Sequence, residues 1–278
     1  YTASADTTIV NAYRPDLQTR GTGANMGEAD VLETFSIYGR VTTSSAELSR
    51  ILIKFPISDI SADRTAGTLP ASGSVNYYLR MFNAKTSKTV PRDYQLSIMM
   101  VSQSWQEGIG LDLESYADTT NGNTGANWMS ASNTAYWTDH NGTLLAGGSY
   151  HTGNTGVTPS QATFIFTPTF SSGLESLEVD ITPMVEQWIG GTYTNYGVGV
   201  HFSASYEAKH SGSAPSVVKR IPGQPALDSG DNSQSVLYNP SGSTVSYYTK
   251  RFFGKGSEFF FKRPVIEARW NDRVTDDR

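Results

Sequence analysis

Apolar side chains recur at every second position in four separate stretches: Val75, Tyr77, Leu79 and Met81; Tyr94, Leu96, Ile98 and Met100; Leu177, Val179 and Ile181; Val198, Val200 and Phe202. A period of two places one side chain in each pair on a buried face and the other on an open one, which is the geometry of a half-buried strand and not of a helix. Ser49-Arg-Ile-Leu-Ile-Lys-Phe55 is a more continuous apolar run stopped by Pro56, and Val265-Ile-Glu-Ala-Arg-Trp270 follows Pro264. Both are expected as central strands bounded by breakers. Helical spacing is found once. Thr182 or Asp180 serves as cap, Pro183 sits in the first turn, Val185, Trp188 and Ile189 follow at i, i+3 and i+4, and Gly190-Gly191 ends the run. The expectation is an all-β chain with one short helix, and the 26 glycines and 12 prolines among 278 residues supply its turns.

Long loops complete the pattern. Gly108 to Pro159 is rich in Gly, Asn, Thr and Ser and carries Trp128, Tyr136, Trp137 and Tyr150. Loops of that length without secondary structure are usually functional or disordered, and the large aromatics argue against disorder. A second polar stretch, 211–246, holds four prolines and is expected to be a mobile insertion. No repeat and no linker divides the chain, so residues 1–278 are expected to form a single β-sandwich domain. The chain starts at Tyr1 without a methionine and stops at Arg278 just after a strand-like segment, the pattern expected of an excerpt from a longer polypeptide.

Charge and composition exclude several functions. Without cysteine there is no disulfide framework, thiolate metal site or cysteine nucleophile. No stretch approaches the roughly 18 apolar residues of a membrane span, so membrane insertion is not expected. The net charge of -5 offers no basic footprint for nucleic acid. Its distribution is uneven. Residues 94–208 hold ten carboxylates and no lysine or arginine, whereas residues 245–278 carry a net +3. Such polarity bears on association and solubility and not on the fold.

Chemical motifs are scarce. Gly108-Ile-Gly110 leads into Leu-Asp-Leu-Glu, which would repel phosphate. His140, His151, His201 and His210 show no metalloprotease spacing, and no serine lies in a Gly-x-Ser-x-Gly elbow. His201, within a strand, is expected to be a packed or surface side chain and not a ligand, and the other three lie in loops. No catalytic residue and no cofactor are expected. Asp112, Glu114 and Asp118 are close enough in sequence to serve as glycosidase carboxylates or as calcium ligands, since calcium takes oxygen donors, but no Asp-x-Asp-x-Asp-Gly loop is present. Calcium is therefore the one candidate ion. Trp105 and Trp188 stand beside strand or helix patterns and are expected in the core. For Trp128, Tyr136, Trp137 and Tyr150 two uses stay open: stacking on a sugar or anchoring a partner, or folding down to pin the loop over the sandwich.

Read in order, several segments resemble the DNRLRE-type β-sandwich family, related in architecture to carbohydrate-binding modules. They are Ala5-Asp6-Thr7-Thr8-Ile9 with Asn25-Met26-Gly27 and Ala29-Asp-Val-Leu32; the Arg50-containing strand; Asp180-Ile-Thr-Pro-Met-Val-Glu-Gln-Trp188-Ile-Gly190; Asn195-Tyr-Gly197; and Pro264-Val-Ile-Glu-Ala268. The resemblance implies an antiparallel jelly-roll-like sandwich without catalytic residues. Trp105 to Asp112, Tyr116-Ala-Asp118, Asn127-Trp128 and Tyr248 to Pro264 are similar to segments of virion structural proteins of large tailed marine phages. That likeness implies a structural and recognition module in a phage particle, extracellular once assembled. Its partners would be other virion proteins, copies of itself or a host surface glycan. A carbohydrate-binding module of a secreted glycan-active protein is the alternative.

Overall fold

The computed structural model describes residues 1–13, 21–39, 45–86, 91–111, 125–153, 164–203, 206–207 and 245–272. In chain order the strands are β1 (Ala5–Val10), β2 (Val31–Gly39), β3 (Ser45–Lys54), β4 (Val75–Met81), β5 (Tyr94–Met100), β6 (Ser130–Ser132), β7 (Ala135–Tyr136), β8 (Ile165–Phe166), β9 (Thr169–Phe170), β10 (Leu177–Asp180), β11 (Val198–Phe202), β12 (Val245–Phe253) and β13 (Val265–Trp270). Two helices, α1 (Ile57–Thr65) and α2 (Thr182–Ile189), accompany them. Pairing among these strands is antiparallel throughout. The fold is an all-β sandwich, as the alternating stretches require.

The larger sheet runs β12-β2-β3-β11-β5-β8, with β1 also on β3 and β9 also on β5, and it curls into a half-barrel. The smaller sheet runs β10-β4-β13. Between them lies the main core, where Ile51, Ile53, Leu96, Ile98, Val198 and Val200 of the larger sheet meet Val75, Tyr77, Leu79, Leu177 and Ile266 of the smaller. On β4 the expected alternation is complete: Val75, Tyr77, Leu79 and Met81 are buried, and the residues between them are not.

β3 is the central strand that its apolar run suggests. Its first part pairs with β2, through Ser36↔Leu48 to Gly39↔Ser45, and its last part with β11, through Val198↔Ile53 to Val200↔Ile51. Ser49 fills the break between them, since its buried hydroxyl accepts from the Phe35 amide and donates to the Glu33 carbonyl, each at 2.8 Å. Backbone groups that would otherwise be stranded where β2 leaves the ladder are thereby satisfied. Just ahead of β11, Gly197 has φ +88°, and a Cβ there would lie 2.0 Å from the Ile53 carbonyl oxygen. Only glycine fits that position.

Two expectations are corrected. Among the described residues there are two short helices, not one. α1 follows Pro56 directly, so that proline is at once a strand breaker and the residue before a helix. Only Ile57 and Ile60 of α1 are buried, too weak a stripe to mark a helix in sequence. Its fixing comes from elsewhere: Arg64 makes a two-pronged contact with Glu186 of α2, at 2.8 and 2.6 Å, and donates to the Tyr77 hydroxyl at 2.8 Å. α2 sits where expected, with the Asp180 carboxylate accepting from the amide and hydroxyl of Thr182, and with Met184, Val185 and Trp188 buried. The second correction concerns β13, which is an edge strand and not a central one. Residues 1–3 run along the start of its outer side, through Ile266 amide to Tyr1 carbonyl at 2.9 Å and the Thr2↔Val265 bridge. Its Val265–Trp270 run alternates apolar with charged residues because one face looks outward.

Candidate interaction surface

The larger sheet is buried on its second face too. Ile9, Leu48, Leu52 and Val101 are covered there by Ala126, Trp128, Met129, Ala131 and Trp137. The polar loop that carries these tryptophans folds into a small β6–β7 hairpin, and Asn127 organises it: its side-chain oxygen accepts from the amides of Met129 and Ser130, and its carbonyl accepts from the Trp137 indole at 2.8 Å. Trp128 and Trp137 are 1% and 0% exposed. The four aromatic candidates therefore part company. Two are core, Tyr150 is half-buried, and Tyr136 faces solvent on β7. Trp105, expected in the core, is only half-buried, with its indole donating to the Tyr196 carbonyl at 2.7 Å.

Beneath this loop lies a buried charged cluster. Arg50 projects from β3, and its Nε and Nη2 reach the two oxygens of Glu207 at 2.8 Å each, while Nη1 donates to the Gly147 carbonyl at 2.8 Å. The guanidinium lies 5.2 Å from the Trp128 ring centre and 5.9 Å from that of Tyr150, within cation–π range. Tyr150 donates to the same Gly147 carbonyl at 2.9 Å, and its burial pushes its hydroxyl up to about 12. His201 stacks obliquely on Tyr150 with ring centres 5.6 Å apart. Burial lowers its pKa, and its Nδ1 lies 2.7 Å from the Phe202 carbonyl, which can only accept, so Nδ1 carries the proton of the neutral ring. One arginine thus clips three segments together: the central strand, the aromatic loop and the turn at Glu207.

A second carboxylate cluster joins β1 to the segment after β12. Asp6 is fully buried, accepts from the Lys255 amide through Oδ2, and leaves Oδ1 without a hydrogen-bond partner. Glu107 accepts from the Asp6 amide at 2.8 Å and pairs with the Lys255 ammonium at 3.0 Å. Burial first, with the neighbouring Glu107 charge adding to it, pushes the Asp6 carboxyl up to about 7. Lys250 is likewise inside, its ammonium held by the Asn83 side chain and by the carbonyls of Gly173 and Glu175, and burial brings its pKa down to about 8. On the outer face of the smaller sheet, Arg80 and Arg269 alternate with Glu178 and Glu267 in a closed ring of four ion pairs at 2.5 to 3.2 Å.

Asp112, Glu114 and Asp118 lie outside the described residues. Among the described residues no group of three or more His, Asp or Glu side chains could hold a metal ion, and no helix is long and apolar enough to cross a membrane. Arg50 with Glu207, Lys255 with Glu107, and the four-membered ring on the smaller sheet are ion-paired, and Lys250 is held by neutral acceptors, which suits these groups to fixing segments in place.

What the surface does offer is an aromatic knob that the sequence reading passed over. Between Gly256 and Pro264, Phe259 leads into a 3-10 turn at Phe260–Lys262, and Phe259, Phe260 and Phe261 are all exposed, Phe261 to 90%. The turn is braced from behind: Arg263 Nε donates to the Ser257 carbonyl at 2.9 Å, and the Ser257 hydroxyl accepts from the Phe259 amide at 3.2 Å. Lys262 lies over the Phe253 and Phe259 rings at 5.0 and 4.7 Å, and Arg263 over Phe260 at 5.2 Å. The signal for it was present as three consecutive phenylalanines, without alternation, between turn-forming glycines and a proline. No family model and no curated protein matches this chain.

Proposed function

We propose that this chain is a non-catalytic structural and recognition module of a tailed-phage particle, placed on a fibre, tail or capsid surface. The observation that carries the reading is the way the larger sheet is covered on both faces by the chain itself, while large apolar side chains are left exposed at the phenylalanine turn. A sandwich that binds a small ligand on a sheet face keeps that face open. Here Trp128 and Trp137 fill it, and the exposed phenylalanines are of the residue type that packs against another protein. The resemblance of the Trp105–Asp112 and Tyr248–Pro264 segments to virion structural proteins supports the placement.

The test is quantitative mass spectrometry on purified particles from the source of this sequence. A fixed copy number per particle is the expected result, and absence from the particle would overturn the proposal. Purified protein is also expected to leave a broad glycan panel uncleaved. The alternative, a carbohydrate-binding module, draws on Tyr136, which stays at the surface beside the aromatic hairpin. It predicts retention of a glycan by the isolated chain and loss of that retention in Tyr136→Ala.

A further inference from the structure

Eight large apolar side chains are exposed among the described residues, and five of them fall in two segments, Ile109 with Leu111 and Phe259 with Phe260 and Phe261. These segments are more than 140 residues apart in sequence, yet both are tied to the short turn at 28–30. The Glu28 amide donates to the Gly110 carbonyl at 3.0 Å, and the Gly254 amide donates to the Asp30 carbonyl at 2.8 Å. The Lys255–Glu107 ion pair, 3.0 Å long, closes the same arrangement from the other side. The exposed aliphatic pair and the phenylalanine knob thus belong to one end of the sandwich. Ile109 and Leu111 are 66% and 68% exposed, on either side of a buried Gly110 whose Cβ would strike the Asn25 carbonyl, so their backbone is held and their side chains are presented outward.

The charges around this end carry both signs. Lys255, Lys262 and Arg263 flank the knob, Asp30 and Glu258 are exposed on the same side, and Glu28 is exposed beside the aliphatic pair, with its amide on the Gly110 carbonyl. An apolar centre with a polar rim is the anatomy of a protein–protein contact. A rim of mixed sign is poorly suited to an anionic bilayer or to nucleic acid, which call for one sign, and phenylalanines without tryptophan or tyrosine hydroxyls are poorly suited to a sugar face. It does match a second copy of itself, because a two-fold axis can set Lys262 and Arg263 beside the knob of one copy against Glu28 beside the aliphatic pair of the other, and the reverse. The knob is also preformed by Arg263, Ser257 and Pro264, so little ordering would be lost on contact.

We infer that this end of the sandwich is a self-complementary docking surface through which two copies of the chain associate about a two-fold axis, Phe259–Phe261 of each packing against Ile109 and Leu111 of the other. The inference rests on the reading of the chain as an assembly module and names its partner.

Sedimentation equilibrium of the full chain, over a range of concentration and at low and high salt, tests it. The expected result is a monomer–dimer equilibrium that weakens as salt rises, because the rim charges are screened. Phe261→Ser and Ile109→Ser should each weaken it by about tenfold or more, as loss of an apolar anchor does. Both side chains point into solvent, so the circular dichroism spectrum and thermal midpoint of each variant should match the parent. A chain that stays monomeric at every concentration overturns the inference, as does a dimer untouched by both substitutions. Binding to anionic vesicles that Phe261→Ser abolishes, in a chain that remains monomeric, overturns it in favour of a lipid surface. A monomeric chain still present in fixed copy number in particles would remove this contact and leave the proposed function standing. A dimer absent from particles would do the opposite.

Discussion

Arg50 and Glu207 are 157 residues apart in sequence and meet as a fork, two nitrogens on two oxygens at 2.8 Å, with each side chain less than 15% exposed. Charges taken out of water cost free energy unless both are paired and hydrogen-bonded. This pair is, because the third donor edge of the guanidinium goes to Gly147 and the rings of Trp128 and Tyr150 flank the cation. The contact decides how the aromatic loop lies on the central strand.

Breaking the fork from one side leaves a buried charge alone. Glu207→Gln or Arg50→Met is therefore expected to destabilise the chain by about 3–5 kcal/mol in urea denaturation. The double variant Arg50→Met/Glu207→Leu removes both charges and should cost clearly less than the two single changes added together. Strict additivity would show that the two groups do not act as a pair.

The ring on the outer face of the smaller sheet is the contrasting case. Arg80, Glu178, Glu267 and Arg269 are each one-third to nearly one-half exposed, so water screens their attraction. Arg80→Ala and Glu178→Ala should each change stability by less than about 1 kcal/mol. A loss as large as that at Arg50 would mean that the ring organises the sheet.

Trp128 and Trp137 are expected to behave as core residues. Truncation of either to alanine should cost about 3–5 kcal/mol, and Trp188→Ala on α2 should fall in the same range. Tyr136→Ala, at the surface of the same hairpin, should stay within about 0.5 kcal/mol of the parent. Denaturation of the four variants side by side separates the buried tryptophans from the surface tyrosine of the hairpin.

Asp6 makes stability depend on pH. Its carboxyl stands at about 7 in the folded chain against an ordinary 3.8, so between those values the folded state keeps a proton that the unfolded state releases. The contribution is fully present below about pH 4 and is lost as pH rises through about 7. Across that window it amounts to the order of 4 kcal/mol, at about 1.4 kcal/mol per pH unit. Asp6→Asn keeps the oxygen that receives the Lys255 amide and removes the charge. The variant should be more stable than the parent at pH 8, with a shallower slope between pH 4 and 7. An unchanged slope would place the dependence elsewhere.

The strands were legible because alternation is a local property. Val75, Tyr77, Leu79 and Met81 face inward on any sheet that β4 joins, and the Pro183, Val185, Trp188 and Gly190 pattern marks α2 whatever it packs against. α1 was not legible, since its two isoleucines are a weak stripe and its hold on the molecule lies in Glu186 and Tyr77, contributed by other elements. Nor could β13 be told from a central strand, because edge position is set by which strands arrive beside it. The candidate site divides the same way. An aromatic on a polar loop points inward only if an apolar face is there to receive it, and the face under Trp128 and Trp137 is built from Ile9, Leu48 and Leu52, remote in sequence. At Phe260 and Phe261 the described residues supply no such face, so side chains of the most apolar kind stay in water. Residue type and spacing determined β3, β4, β5, β10, β11, β13 and α2, but not the short β6–β7 hairpin in the stretch expected to be loop. Which aromatics became core and which became surface was decided only in the folded chain, because burial depends on the two surfaces that meet and each stretch of sequence holds one of them.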